Sequence, residues 1–288
     1  MQFLGGNTFL PYQNFGARTT QGFEFGLNYE KKYGNLKCNI GLNVITINPK
    51  LDKVDELDYG PGLEYRQKAG KPYDAIWGLE AIGLFKDDQD IATSPIQKFG
   101  TILPGDIKYR DLNGDNIIDE DDQTVLGYFH ARNNYVFSIN LNYKRFDFFT
   151  YLNMQTGGSS YYKNNYYWVS GELKYPKHVN GRWAYNPDKG IDTRETATYP
   201  RLSSKSNPNN MRNSSYWLYK NDHVTIPVIQ MTYTFPEFIS KKIFVNNLSV
   251  FCRVTNVLMT GDNKDKMQLN TDSEPQMRNY SIGLKARF

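Results

Sequence analysis

Hydrophobic and polar residues take turns along seven stretches of this chain. In residues 20–31, Phe23, Phe25, Leu27 and Tyr29 share one face, and Glu24, Gly26, Asn28 and Glu30 share the other. After a short polar turn at 32–35, residues 36–47 repeat the pattern. Leu36, Cys38, Ile40, Leu42 and Val44 oppose Lys37, Asn39, Gly41 and Asn43. Residues 133–144 set Tyr135, Phe137, Ile139, Leu141 and Tyr143 against Val136, Ser138, Asn140, Asn142 and Lys144. A very short turn leads into 146–156, with Phe146, Phe148, Leu152 and Met154 on one face. A two-residue period over such lengths predicts β-strands, and the tight turns predict hairpins. The strand at 222–235 changes phase, from Val224, Ile226 and Val228 to Ile229, Met231, Tyr233 and Phe235, which predicts a bulge at Pro227. Strands at 247–255 and 278–288 complete the series.

The connections between these strands run short, long, short, long, short, long. Stretches 49–131, 157–215 and 257–275 lose the alternation and are read as long loops. This asymmetry predicts an all-β fold: an antiparallel up-and-down transmembrane β-barrel with short periplasmic turns and long extracellular loops. The last strand supports it, because Tyr280, Ile282, Leu284, Ala286 and Phe288 form an apolar face ending in an aromatic residue. It resembles the terminal strand by which outer-membrane proteins reach their assembly machinery. Tyr29, Tyr33, Tyr143, Phe146, Tyr233 and Phe235 lie beside the short turns as a periplasmic aromatic girdle. Seven strands are odd in number and below the usual minimum of about eight, so the chain is expected to supply about seven to ten strands of a larger barrel. The alternative is a soluble β-sandwich or an extracellular carbohydrate- or protein-binding module, whose strands alternate for ordinary core reasons.

Composition sharpens this. Mean hydropathy is −0.64, yet aromatics make up 15% of the chain, with 22 Tyr and 17 Phe. No apolar run approaches the ~20 residues of a spanning helix. A net charge of +4 without a Lys/Arg cluster argues against nucleic acid. Cys38 and Cys252 fall on apolar strand faces; they pair only if their strands are neighbours, and otherwise are small buried hydrophobes. The opening residues lack the basic and apolar regions of a signal peptide, so Met1 is expected to be internal to a longer protein.

One segment has the spacing of a chemical site. In residues 111–122, DLNGDNIIDEDD, oxygen-bearing side chains fall at loop positions 1, 3, 5, 9 and 12: Asp111, Asn113, Asp115, Asp119 and Asp122. Ile117 holds position 7, where an EF-hand loop uses a backbone carbonyl, and Ile118 follows as the buried aliphatic residue. Calcium takes about six to eight oxygens, and this register wraps them around one point. Asn116 stands where a turn glycine is usual, and Asp122 is a shorter arm than Glu. The competing reading is a solvated acidic loop that binds nothing. Phosphate-binding, zinc-protease, nucleophile-elbow and C-x-x-C motifs are absent, and His130, His178 and His223 are isolated, so no enzyme is expected. Trp168, Trp183 and Trp217 either pack the loops and girdle or stack on sugar rings, the former being favoured.

These residues resemble the C-terminal part of SusC/RagA-family TonB-dependent outer-membrane transporters of Bacteroidetes. The match lies in PGDIKYRDLNGDNIIDEDDQTVLG at 104–127, the strand NNYVFSINLNYKRFDFFTYLNMQTGG, YPRL at 199–202, SSYWLYKNDHVTIPVIQMTYTFP at 214–236, SVFCRVTNVL and the final strand. The resemblance implies import of glycans, oligosaccharides or peptides across the cell outer membrane. It implies a SusD-like surface lipoprotein partner and energy relayed through the TonB system. Residues 1–288 would be the C-terminal part of the barrel, surrounded by outer-membrane lipid. The plug and TonB box lie outside the sequence.

Overall fold

A computed structural model describes residues 14–162, 166–268 and 276–288. Most of the opening segment, and part of the third long connection at 269–275, lie outside the described residues. All seven expected strands are present: β1 (Ala17–Tyr33), β2 (Leu36–Lys53), β3 (Asn133–Tyr143), β4 (Phe146–Thr156), β5 (His223–Thr234), β6 (Asn247–Thr260) and β7 (Asn279–Arg287). They form one sheet in chain order, and every neighbouring pair is antiparallel. Within the described residues the sheet does not close on itself: β1 and β7 are its two edges.

β2 runs to Lys53, beyond the expected end at 47, even though Pro49 lacks a backbone donor. The N–H groups of Ile47 and Leu51 point away from β1, to the carbonyls of Arg132 and Lys71. Pro49, two residues from each, would aim its missing N–H at that same edge. β3 begins opposite Thr46, so no ladder partner is lost there. β6 likewise extends past 255 to Thr260.

The register lines up the apolar residues across strands. One row runs Tyr33, Leu36, Tyr143, Phe146, Tyr233, Val250, Leu284. The next row on this face runs Lys31, Cys38, Leu141, Phe148, Met231, Cys252, Ile282, and is apolar from Cys38 onward. At Pro227 the pairing shifts against both neighbours, which keeps Ile226 and Val224 on the same face as Ile229. The expected bulge is therefore present. Cys38 and Cys252 share a row but are separated by β3, β4 and β5, and both are free thiols. Their expected burial is not found: Cys252 is exposed, because nothing in the described chain covers this face. Phe23 is 63% exposed, Leu27 56% and Ile282 80%.

The core lies elsewhere. The buried cluster of Leu79, Phe99, Ile107, Tyr109, Ile118, Val169, Val179, Tyr199 and Trp217 belongs wholly to the long connections. These connections, expected to be irregular, carry short strand pairs: Ala75–Leu79 with Gln123–Tyr128, Ala81–Leu84 with Ile107–Tyr109, and Ser159–Tyr161 with Leu218–Lys220. At the centre is Asp106, fully buried. Its carboxylate accepts from Asn207 Nδ2 (2.8 Å), Asn210 Nδ2 (2.9 Å) and Leu103 N (2.8 Å). Arg201 pairs with it, Nε lying 2.7 Å from Oδ1 and Nη2 3.2 Å from Oδ2. Asn209, equally buried, donates to Ile107 O, accepts from Gln97 Nε2, and offers its own carbonyl to the Tyr109 hydroxyl. The first and second long connections are thus stitched into one layer above the sheet's loop end. Among the described residues no helix is long and apolar enough to cross a membrane.

Breaking a buried, hydrogen-bonded ion pair from one side costs about 3–5 kcal/mol. Asp106→Ala is expected to open the loop layer while the sheet persists. Limited proteolysis should cut near 80–110 and 199–217 in the variant only, with the strand signal in circular dichroism unchanged.

Candidate functional site

The loop layer holds every residue singled out as a ligand. In the acidic loop the side chains first fold the backbone. Asp111 accepts from Gly114 N (2.7 Å) and Asn116 N (2.8 Å), Asn113 from Asp115 N (3.0 Å), and Asp115 from Ile117 N (2.8 Å). Asn116 adopts φ 62, the left-handed conformation that the missing glycine would have supplied. Ile117 and Ile118 then form a short parallel pairing with Ile96 and Gln97, and Ile118 is completely buried. Asp119 and Asp122 cap one another's backbone around a single 3-10 turn, Glu120–Asp122.

The charges are unevenly answered. Asp119 meets Lys98 Nζ at 3.2 Å, and the Asp121 amide with this lysine holds its carboxyl below the usual range. Asp122 accepts from Leu112 N (2.7 Å) and Asp119 N (2.9 Å) and has no cationic partner among the described residues. Burial, reinforced by the nearby Asp111 and Asp115 carboxylates, pushes it above the ordinary aspartate range. Burial and the adjacent Asp122 and Asp121 also lift the Tyr65 phenol to about 12. Among the described residues no three of Asp, Glu, His or Cys converge as a ready-made metal site. The loop sets Asp111 and Asp115 near enough to repel Asp122, and diverts Asp119 to a lysine. Each carboxylate oxygen has two lone pairs, so an amide bond and a cation are compatible partners.

The three tryptophans have a structural task. Trp217 is buried and donates Nε1 to Asn210 O at 2.6 Å. Trp168 lies against it at 6.2 Å between ring centroids. Trp183 covers Gly105, where a Cβ would sit 2.6 Å from the indole, and where φ of +87 also requires glycine. His178 is wedged among Tyr167 (5.0 Å), Tyr166 (4.9 Å) and Tyr199 (5.4 Å). Neither ring nitrogen finds a partner among the described residues, and burial pushes its pKa down.

Sequence reasoning missed the polar residues that organise this layer: Asp106, Gln97, Arg201 and the Asn-Pro-Asn-Asn run at 207–210. The run was the only signal, four turn formers inside a stretch otherwise read as loop. It also missed the seam between layer and sheet, where Arg132 forks onto Asp74 with Nη2–Oδ1 at 2.7 Å and Nη1–Oδ2 at 3.2 Å. Burial raises the Asp74 carboxyl, but the Arg132 and His130 hydrogen bonds outweigh it and the net shift is downward.

The His178 environment favours neutral imidazole, so its contribution to stability is present above the ordinary histidine pKa of about 6.5 and is lost as pH falls through the depressed folded value. Protease cleavage within 166–202 is expected to accelerate several-fold from pH 7.5 to 5.0. His178→Phe should flatten that dependence.

No family model matches the chain. TonB-dependent receptor P26 of Formosa agariphila is 27% identical over 263 residues, an alignment covering 87% of this chain and 25% of that protein. Among solved structures, the RagAB peptide transporter superposes with a TM-score of 0.69 at 15% identity, covering 96% of this chain and 30% of that one. The RagAB peptide importer gives 0.66 in both its open-open and closed-closed states, at 13% and 14% identity, again covering 96% of this chain. The chain spans between a quarter and a third of the length of the proteins it matches. It is similar in sequence to part of a TonB-dependent receptor, and it shares the fold of part of a RagAB transport chain.

Proposed function

We propose that the chain is the C-terminal barrel segment of a SusC-like TonB-dependent importer in the cell outer membrane. Its cargo would be glycans, oligosaccharides or peptides, and it would act as a transport component, not an enzyme. The observation that carries this is the uncovered apolar face: rows of Tyr, Leu, Ile, Phe and Met continue across seven strands, while the buried core sits in the loops. Leaving one large apolar side chain in water instead of burying it costs about 1.5–3 kcal/mol. A bilayer removes that cost, and the strands, 9 to 18 residues long, are long enough to cross one. The free edges of β1 and β7 support membership of a larger closed barrel, because closure is what abolishes edges. In this reading the hairpin turns face the periplasm, where TonB acts on the rest of the protein. The folded loop layer faces outward, where a SusD-like lipoprotein would dock. A soluble carbohydrate- or protein-binding module would have to cover the same apolar face with a second layer that the described chain lacks.

Insertion into liposomes should protect the strands from trypsin while the loop layer stays cleavable. Ile139→Arg on the apolar face should cost about 2–4 kcal/mol, as arginine does near the bilayer midplane, while Asn140→Arg on the polar face should cost little. A monomer folded in plain buffer without detergent would overturn the barrel.

For the acidic loop we propose calcium as a structural clip, held by Asp111, Asn113, Asp115, the Ile117 carbonyl, Asp119 and Asp122. The repulsion at buried Asp122, which has no cationic partner among the described residues, supports it. The ion would supply positive charge at that point and stiffen 105–127. Calcium is expected to slow proteolysis of this stretch, and Asp111→Ala combined with Asp115→Ala to abolish the gain. Equal protection in calcium and in chelator would remove the ion from the account.

A further inference from the structure

The hairpin turns of the sheet are unequal. Gly34 and Asn35 alone join β1 to β2, and Lys144 and Arg145 alone join β3 to β4. Between β5 and β6 the chain runs through 235–246 and includes a short helix, Glu237–Lys242. This longer turn is fixed in place. Phe235 N donates to Leu248 O (2.9 Å), Asn246 N to Arg287 O (2.7 Å) and Val245 N to Ser240 O (3.1 Å). Ser240 and Val245 are buried. Three larger apolar residues are not: Phe238 is 64% exposed, Ile243 51% and Phe244 92%. Phe244 also holds φ 60, a left-handed backbone that strains a bulky residue and that glycine adopts freely. A turn needed only to connect two strands would place glycine there.

The turn continues the apolar face of the sheet. Phe235 follows Met231 and Tyr233 in the strand alternation and meets the Tyr233 ring edge-on at 5.2 Å, and Tyr233 in turn lies 4.8 Å from Phe146. On the helix, Phe238 and Lys242 are four residues apart and share the side turned away from Ser240. The charge here is positive. Lys241 is answered by Glu237 at 3.2 Å, but Lys242 forms no ion pair among the described residues. Neither do Lys144 and Arg145 of the adjacent turn, which is tied to this one by Thr234 N donating to Arg145 O at 2.9 Å. The remaining carboxylate nearby, Asp147, stands on the polar face and accepts from Asn142 Nδ2 at 2.6 Å. Exposed aromatic rings beside unanswered cations suit the boundary of a bilayer, where acyl chains take the rings and lipid phosphates take the cations.

We infer that the 235–246 turn is an interfacial anchor for anionic phospholipid. It seats Phe238, Ile243 and Phe244 at the acyl boundary and sets Lys242, Lys144 and Arg145 against lipid phosphate. The inference rests on the barrel reading for the presence of a bilayer, and deepens it by naming the lipid class. The test uses the whole chain in liposomes of phosphatidylcholine, alone or mixed with phosphatidylglycerol, each containing brominated lipid as a fluorescence quencher. Phe244→Trp reports the position of the turn as a difference from the unsubstituted chain. The added indole should emit at a shorter wavelength than indole in water and be quenched by lipid brominated close to the headgroup. Phosphatidylglycerol should strengthen the quenching about twofold, and salt should remove that gain. Lys242→Gln with Lys144→Gln and Arg145→Gln should abolish the gain while leaving the quenching in phosphatidylcholine. Phe238→Trp serves in the same way if Phe244→Trp does not insert. With the strands protected from trypsin, water-like emission and no quenching at the turn would overturn the anchor. Equal quenching in the two lipid mixtures would overturn the role given to the cations. Short-wavelength emission without quenching by any brominated lipid would overturn the anchor in favour of a protein contact. Strands left unprotected in the same liposomes would instead overturn the barrel, and the anchor with it.

Discussion

A β-strand hides at most every second residue on each side, so a sheet with one apolar face must place that face against something other than water. That constraint governs this chain. Seven strands align their apolar residues into continuous rows, from Tyr33 across to Leu284, and no part of the described chain lies over them. The same pairing puts Glu24, Asn28, Asn140 and Arg253 on the opposite side, so the sheet has one apolar and one polar face. The proposed place in a lipid-bounded wall rests on this pattern more than on any single residue.

The second organising element is not in the sheet. Asp106, deprived of solvent, is held by an arginine and two asparagines from a connection about a hundred residues away in sequence. It converts two long loops into one layer with its own core, and the Arg132–Asp74 fork fixes that layer to the start of β3. Such an arrangement is worth more in specificity than in net stability, because desolvating the charges offsets much of their attraction. A wrong docking of the two loops would leave Asp106 buried without partners.

The strands were legible because alternation is a local property, carried by successive residues such as Phe23 to Tyr29. Even the bulge at Pro227 was visible as a change of phase between Ile226 and Ile229. Strand ends were less so: Pro49 stopped the reading at 47, although β2 tolerates it where no neighbour needs its donor. The loop layer was illegible for the opposite reason. Its short pairings and the contacts of Asp106, Gln97 and Asn209 join residues far apart, and no window of sequence contains both partners. The acidic loop was half legible. Its turns and the left-handed Asn116 follow from spacing, but the diversion of Asp119 to Lys98 depends on a neighbouring segment.

The Asp106 hub also sets an order of events. The contacts that complete it come from residues 201–210, and between the two halves lie β3 and β4, a hairpin closed by a two-residue turn. Local pairing forms faster than contacts closing long loops. The wall hairpin is therefore set to form before the layer above it can close. The hub is thus the later closure of the two, completed across a hairpin that pairs locally.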